Sequence, residues 1–181
     1  RTMDAKKLGL IKPNTYDLLW VVDFPMFDPV EDEPGKYVAE HHPFTRPRDE
    51  DLAKLDTAPE EVLAYAYDII INGYEAGGGT LRIYDHDIQW KIFKLLGLTD
   101  EDVKAKFGWF IDAFRYGAPP HGGMAFGLDR LAMILCGTDN IRDVEAFPKN
   151  LQAVDPTSKA PTPVDPDQLE ILDIKVVEKE K

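Results

Sequence analysis

AYAYDIIINGYEAGGGTLRI, residues 64–83, is the stretch on which the fold turns. Its wealth of Tyr and Ile, broken by Asn72-Gly73 and then by three glycines at 77–79, predicts two or three β-strands joined by tight turns or bulges. Upstream, Asp17–Met26 (DLLWVVDFPM) is a compact apolar run closed by Pro25 and predicts a buried strand. Residues 29–36, PVEDEPGK, are acidic and rich in Pro and Gly, a surface connection that returns through Tyr37-Val38-Ala39. Between Asp49 and Leu63, helix formers interrupted by Pro59 predict a short helix ending before the proline and a second turn starting with it.

Downstream the period changes to that of helices. Ile88, Ile92, Leu95 and Leu96 form one apolar stripe, with Gly97 where a left-handed C-terminal cap belongs. Thr99-Asp100-Glu101-Asp102 then opens a helix that carries Val103, Phe107, Phe110, Ile111 and Phe114 at helical spacing and stops at Gly117 and Pro119. Residues 122–127, GGMAFG, read as a short strand, and 128–136, LDRLAMILC, as a helix with Gly137 just past its end. From Ala153, four prolines mark an irregular tail, followed by a short helix over Gln168–Leu172 and a charged end. A strand-rich centre flanked by helices predicts an α+β fold with a mainly antiparallel sheet, in which 1–152 form the body and 153–181 a tail.

Composition narrows the class. The 181 residues are 44% hydrophobic and 30% charged, which excludes a disordered or fibrous chain, and no apolar run approaches the roughly 20 residues needed to cross a bilayer. The single Cys136 excludes an internal disulfide, no Cys/His spacing suits structural zinc, and the opening RTMDAKKLGL lacks a signal-peptide pattern, so a cytoplasmic protein is expected. A net charge of −12 by itself points away from nucleic acid, although it says nothing about one local groove.

Arg130 is the sharpest local anomaly. Leu128, Leu131, Ala132 and Leu135 share one helical face, which places Arg130 on the other, in a first turn where a cation opposes the positive end of the helix dipole. It reads either as a solvated Arg paired with Asp129 or Glu145, or as an anion clamp beside free backbone N–H groups. Asp68, Glu75 and Arg82 around the glycines form a second constellation, costly to bury unless the charges hold one another or a ligand. Strict alternation sets Asp68 and Glu75 on opposite faces, so a bulge at Asn72-Gly73 is required to unite them. Two carboxylates on one face suit Mg²⁺, and a neighbouring Arg can grip a carboxylate bidentately; the alternative is a structural salt bridge to Arg82. His41 and His42 point to opposite sides of an extended chain and are poor candidates to share a metal, His121 fits an ordinary turn role, and Cys136 reads as a buried small hydrophobe.

GMAFGLDRLAMIL at 123–135 resembles motif 3 of the class II aminoacyl-tRNA synthetases. HHPFT at 41–45, YDIIINGYEAGGGTLRI at 67–83, GAPPHGG at 117–123 and IRDVEAFPKN at 141–150 are together similar to the bacterial-type aspartyl enzymes of that family, more than to the asparaginyl or lysyl ones. The resemblance implies that residues 1–152 are the C-terminal half of a catalytic domain, with motifs 1 and 2, an anticodon-binding barrel and an insertion domain outside these residues. It further implies that Gly127, Leu128, Asp129 and Arg130 hold the ATP tail, that Asp68 and Glu75 bind Mg²⁺, with Arg130 and Glu75 serving the chemistry, and that His41 and Arg82 contact aspartate. The implied reaction joins L-aspartate and ATP as aspartyl-adenylate and passes the aspartyl group to tRNA(Asp), with the option of tRNA(Asn) set elsewhere. Full-length members are homodimers through motif 1, and without motifs 1 and 2 the chain alone is expected to be inactive. The competing readings are an asparaginyl, lysyl or asparagine-synthetase-like relative, or a non-catalytic module on the same core.

Overall fold

The computed structural model describes residues 2–12 and 14–177; the charged end at 178–181 lies outside the described residues. In chain order the elements are α1 (Thr2–Lys7), β1 (Leu18–Pro25), β2 (Phe27–Pro29), β3 (Tyr37–Ala39), β4 (Leu63–Ile71), β5 (Tyr74–Leu81), α2 (His86–Leu95), α3 (Asp100–Phe114), β6 (Gly122–Phe126), α4 (Leu128–Cys136) and α5 (Pro166–Ile171). Short 3₁₀ turns occupy Asp49–Asp56, Pro59–Glu61 and Ile141–Asp143, so the helix expected before Pro59 is a 3₁₀ segment. Two compact units are present, one up to Leu131 and one from Ala132 onward. No described helix is long and apolar enough to cross a membrane.

Four strands form one antiparallel sheet in the order β1-β4-β5-β6, and β2 and β3 form a separate ribbon. Asn72 and Gly73, at φ 52° and 87°, close the β4–β5 hairpin. Both sit in the left-handed region that a two-residue type I′ turn demands. The bulge expected at this pair lies instead in β5: Ile69 faces Gly77 while Ile70 faces Glu75, which leaves Ala76 as the extra residue. The three glycines are explained by close approach. A Cβ at Gly79 would stand 1.9 Å from the Gly123 carbonyl oxygen, and one at Gly77 would stand 2.5 Å from that of Ala125, so at these two positions β6 lies too close to β5 for a side chain.

The buried side chains fall into two clusters. Met26, Phe27, Leu55, Val62, Ala64, Ala66, Ile83 and Ile92 form one cluster; Phe93, Val103 and Ile111 form another with Phe44, Phe107 and Phe110 packed on it. α2 serves both clusters through adjacent residues, Ile92 and Phe93. Its N-terminus is capped by Asp85, whose carboxylate accepts from the Asp87 and Ile88 N–H groups, and Gly97 follows its end at φ 81°. α3 carries a complete capping box between Thr99 and Asp102.

Two burial expectations are corrected. β1 forms where its apolar run predicts, but it is an edge strand and most of its side chains are exposed on both faces, Trp20 at 54%. An apolar run shows that a strand is to be covered, not by what. On α4 the predicted inward stripe fails as well: Leu128 and Leu135 are exposed, and Cys136 is exposed rather than buried, while Met133 is buried and Arg130 half-buried.

Candidate active site

The bulge at Ala76 determines the site. Directly opposed residues share a face of an antiparallel pair, and alternate residues of one strand do too. Asp68 opposes Gly78 and Ile70 opposes Glu75, so the shifted register brings Asp68 and Glu75 to the same face. Without the extra residue they would point apart. Gly78 supplies room for the acid: a Cβ there would stand 2.1 Å from Asp68 Oδ1. Neither carboxylate is in an ion pair among the described residues.

The carbonyls around the bulge hold the start of α4. The Gly127 N–H donates to the Ala76 carbonyl at 3.0 Å, the Leu131 N–H donates to the Gly127 carbonyl at 2.9 Å, and Arg130 Nη1 donates to the Glu75 carbonyl. Gly127, Leu128, Asp129 and Arg130 therefore turn over the backbone of Glu75 and Ala76, which sets a guanidinium against the strand that carries Glu75. No ion pair joins Arg130 to Asp129 among the described residues.

Arg82 continues β5 past Thr80 on the side of Gly78. It bridges to Thr45, and its N–H donates to the His121 carbonyl at 2.9 Å. Among the described residues no carboxylate pairs with its side chain. The HHPFT loop is pinned beside it through His42. The Phe44 N–H donates to His42 Nδ1 at 3.2 Å, and the Thr80 hydroxyl lies 3.3 Å from Nε2. Burial, then the Arg82 charge, then His41 lower the His42 pKa below its ordinary value. A ring nitrogen that accepts from a backbone N–H is unprotonated, so hydrogen bonding and electrostatics both keep His42 neutral. His41 is exposed, with its ring edge-on to Phe24 at 4.7 Å. His42 was the less obvious histidine in the sequence; the signal for it is Thr45 three residues on, a hydroxyl placed to reach the ring.

Three groups thus line one strand pair: the Asp68 and Glu75 carboxylates, the α4 turn with Arg130, and Arg82 with neutral His42. Among the described residues no set of three or more His, Cys, Asp or Glu is disposed to hold a metal ion. A pair of carboxylates suits a hard cation that takes the rest of its shell from water and phosphate oxygens.

A family model described as tRNA synthetases class II (D, K and N) matches residues 3–151. The chain belongs to the class II tRNA synthetases. Among relatives of this class II chain, an aspartate–tRNA ligase from Staphylococcus carnosus is 54% identical over 172 residues, which is 95% of this chain and 29% of the relative. An aspartate–tRNA(Asp/Asn) ligase from Caldanaerobacter subterraneus is 53% identical over 95% of this chain and 29% of its own length. A solved aspartyl tRNA synthetase from Entamoeba histolytica superposes with a TM-score of 0.59 at 28% identity, covering 86% of this chain and 27% of that one. The chain therefore spans about 30% of the length of the curated relatives it matches. The sheet flanked by helices is the class II architecture anticipated from the sequence.

Proposed function

We propose that this chain forms part of the active site of an aspartate–tRNA ligase, which activates L-aspartate with ATP and transfers it to tRNA. The observation that carries the reading is Arg82: a guanidinium without a carboxylate partner among the described residues, at the end of a strand whose bulge gathers two free carboxylates and an anion-binding turn. The Arg82 fork is complementary to the side-chain carboxylate of aspartate. An asparagine amide in the same place sets N–H groups against N–H groups, a mismatch that discriminates strongly because it leaves polar groups unpaired. His42, held neutral beside Arg82, adds no competing positive charge.

Arg130 and the backbone N–H groups of Leu128 and Asp129 neutralise and orient the phosphate tail of ATP, with Gly127 anchoring the turn to Ala76. Asp68 and Glu75 fit Mg²⁺ by donor chemistry and by sharing a face, and would be its protein ligands. When bound, the ion neutralises phosphate charge. The aspartate α-carboxylate attacks the ATP α-phosphorus in line, the bond to the bridging oxygen breaks, and pyrophosphate leaves with the electron pair. This chemistry requires positioning and charge neutralisation rather than a protein nucleophile, in agreement with a site built of arginines and carboxylates. His41, exposed against Phe24, is an aspartate contact in this reading, and the full-length enzyme is a homodimer. The chain spans about 30% of the relatives it matches, and in this reading it is not expected to activate aspartate by itself.

The test is a chimera in which this chain replaces the matching segment of the Staphylococcus carnosus ligase, assayed by amino-acid-dependent ATP–pyrophosphate exchange. Exchange should depend on aspartate and not on asparagine or lysine, and Arg82→Gln should lower kcat/KM for aspartate at least about a thousandfold. Exchange driven by asparagine or lysine, or an Arg82→Gln chimera with unchanged kinetics, would overturn the assignment.

A further inference from the structure

Among the described residues, Asp23 is the only one inside a β-strand whose φ, 62°, lies in the left-handed region. Away from a turn that conformation is uncommon and strained, and its consequence is a change of face. Val22 opposes Tyr67 and Phe24 opposes Ala64, with the register of β1 against β4 shifted between them. Tyr67 and Ala64 alternate to opposite faces of β4, so Val22 and Phe24, which strict alternation would unite, lie on opposite faces too. The packing agrees. Trp20 meets Tyr67 edge-on with ring centres 6.3 Å apart, whereas half-buried Phe24 packs on the buried cluster that includes Ala64 and Ala66. Ala66 opposes Thr80 and alternates with Asp68, so Asp23 brings Phe24 round to the face of the candidate site.

On that face Phe24 backs the ring of His41, edge-on at 4.7 Å. The loop that carries the two histidines is tied to this end of β1 at three points. The Glu40 N–H donates to the Met26 carbonyl at 3.2 Å, the His41 ring lies against Phe24, and Arg48 Nη2 donates to the Asp23 carboxylate. Arg48 is itself fixed: its N–H donates to the Leu63 carbonyl at 2.8 Å, and its guanidinium reaches Glu50 at 3.2 Å and lies over the Tyr65 ring, 5.6 Å from the centroid. A strained backbone persists where its surroundings over-determine it, and the Arg48 fork supplies that restraint here. The strain at Asp23 therefore has a visible result, the placement of one aromatic ring behind His41.

We propose that Asp23 and Phe24 are positioning residues for the amino-acid substrate: the left-handed step at Asp23, locked by Arg48, sends Phe24 to the face of the site, where it holds the His41 ring in place to meet aspartate. That His41 meets aspartate rests on the aminoacylation reading above; that Asp23 and Phe24 place its ring rests on the fold alone. Neither residue touches the substrate in this account, and both act through His41.

The test has two readouts. In the 181-residue chain, proton NMR of the His41 ring reports its contact with Phe24. Asp23→Val introduces a β-branched residue that resists the left-handed region, and Phe24→Leu keeps the backbone and removes the ring; both should move the His41 resonances, and in the same direction. Asp23→Asn tolerates that φ and still accepts from Arg48, so it should leave them in place. In the Staphylococcus carnosus chimera, Asp23→Val and Phe24→Leu should each raise KM for aspartate at least about fivefold while KM for ATP stays within about twofold, and Asp23→Asn should behave as the parent. Neither change should add to the effect of His41→Ala, because residues that act through one another are not additive. Unmoved His41 resonances in Phe24→Leu, equal rises in both KM values, or effects that multiply with that of His41→Ala would overturn the proposal; should Asp23→Val fail to fold, Phe24→Leu decides. Unmoved resonances alongside aspartate-dependent exchange in the parent chimera refute only the positioning role. A parent chimera without aspartate-dependent exchange refutes the enzyme assignment, and the NMR result then decides by itself whether Asp23 and Phe24 place the His41 ring.

Discussion

Gly79→Ala tests the packing on which the site depends. The added methyl would stand 1.9 Å from the Gly123 carbonyl oxygen and 2.9 Å from both the Gly123 carbonyl carbon and Met124 Cα. All three are backbone atoms, so no side-chain rotation relieves the clash; β6 must retreat by more than 1 Å to restore an ordinary contact. Retreat of that size disrupts the β5–β6 ladder, which has five paired positions. Overpacking costs about 1–3 kcal/mol, and a rigid neighbour places this case near about 3. For a chain of this length each kcal/mol shifts Tm by about 2–4 °C, so a fall of about 6–12 °C is expected in a calorimetric or circular-dichroism melt. Gly78→Ala is the internal control. Its methyl meets Asp68 Oδ1 at 2.1 Å, the end of a side chain that can rotate away, so stability should fall by only about 1 kcal/mol while Asp68 is displaced from its position. A Gly79→Ala protein melting within about 1 °C of the parent, or a Gly78→Ala protein less stable than Gly79→Ala, would refute the reasoning.

Other consequences can be measured in the same way. Thr99→Ala removes the hydroxyl that caps α3 and should cost about 1 kcal/mol, read as a Tm decrease of about 2–4 °C. Asp51 is held ionised by Lys54 at 2.8 Å and by the Leu63 N–H, which lower its pKa. Its stabilisation is complete above the unfolded carboxylate value near 4 and disappears as pH falls through the lower folded value; Asp51→Asn should flatten that acid limb in pH-dependent melts. His42 also has a lowered pKa, so below about 6.5 the unfolded chain takes up a proton that the folded chain refuses. Stability should decline as pH drops from 7 toward 5, and His42→Gln should remove that part of the slope.

Where local chemistry decided, the sequence was readable. Asn72-Gly73, the Thr99 box, Gly97 and the 128–136 helix are set by dihedral and capping preferences that act within a few residues, and each appears in the structure. The bulge was foreseen as a necessity, since Asp68 and Glu75 could not otherwise share a face, but its position was not. That position is chosen across the sheet, where Gly127 and Arg130 of the α4 turn donate to the Ala76 and Glu75 carbonyls. Burial was the least legible property. β1 and the apolar stripe of α4 look like core by composition, yet Leu18, Trp20, Leu128 and Leu135 are exposed, because periodicity reports which side chains share a face and not what covers it. His42 escaped notice for a related reason: its role depends on Thr80, far away in the chain and adjacent only after folding.

The account rests on a preformed half-site in which Arg82 reads a carboxylate. The most direct measurement is the Tm of the 181-residue chain with Mg²⁺ and a non-hydrolysable aspartyl-adenylate analogue, compared with its asparaginyl counterpart, in the parent and in Arg82→Gln. At about a hundred times its dissociation constant the aspartyl analogue should add about 2.7 kcal/mol, a Tm increase of about 5–11 °C that the asparaginyl analogue and Arg82→Gln do not show. Equal shifts with both analogues, or an undiminished shift in Arg82→Gln, would contradict it.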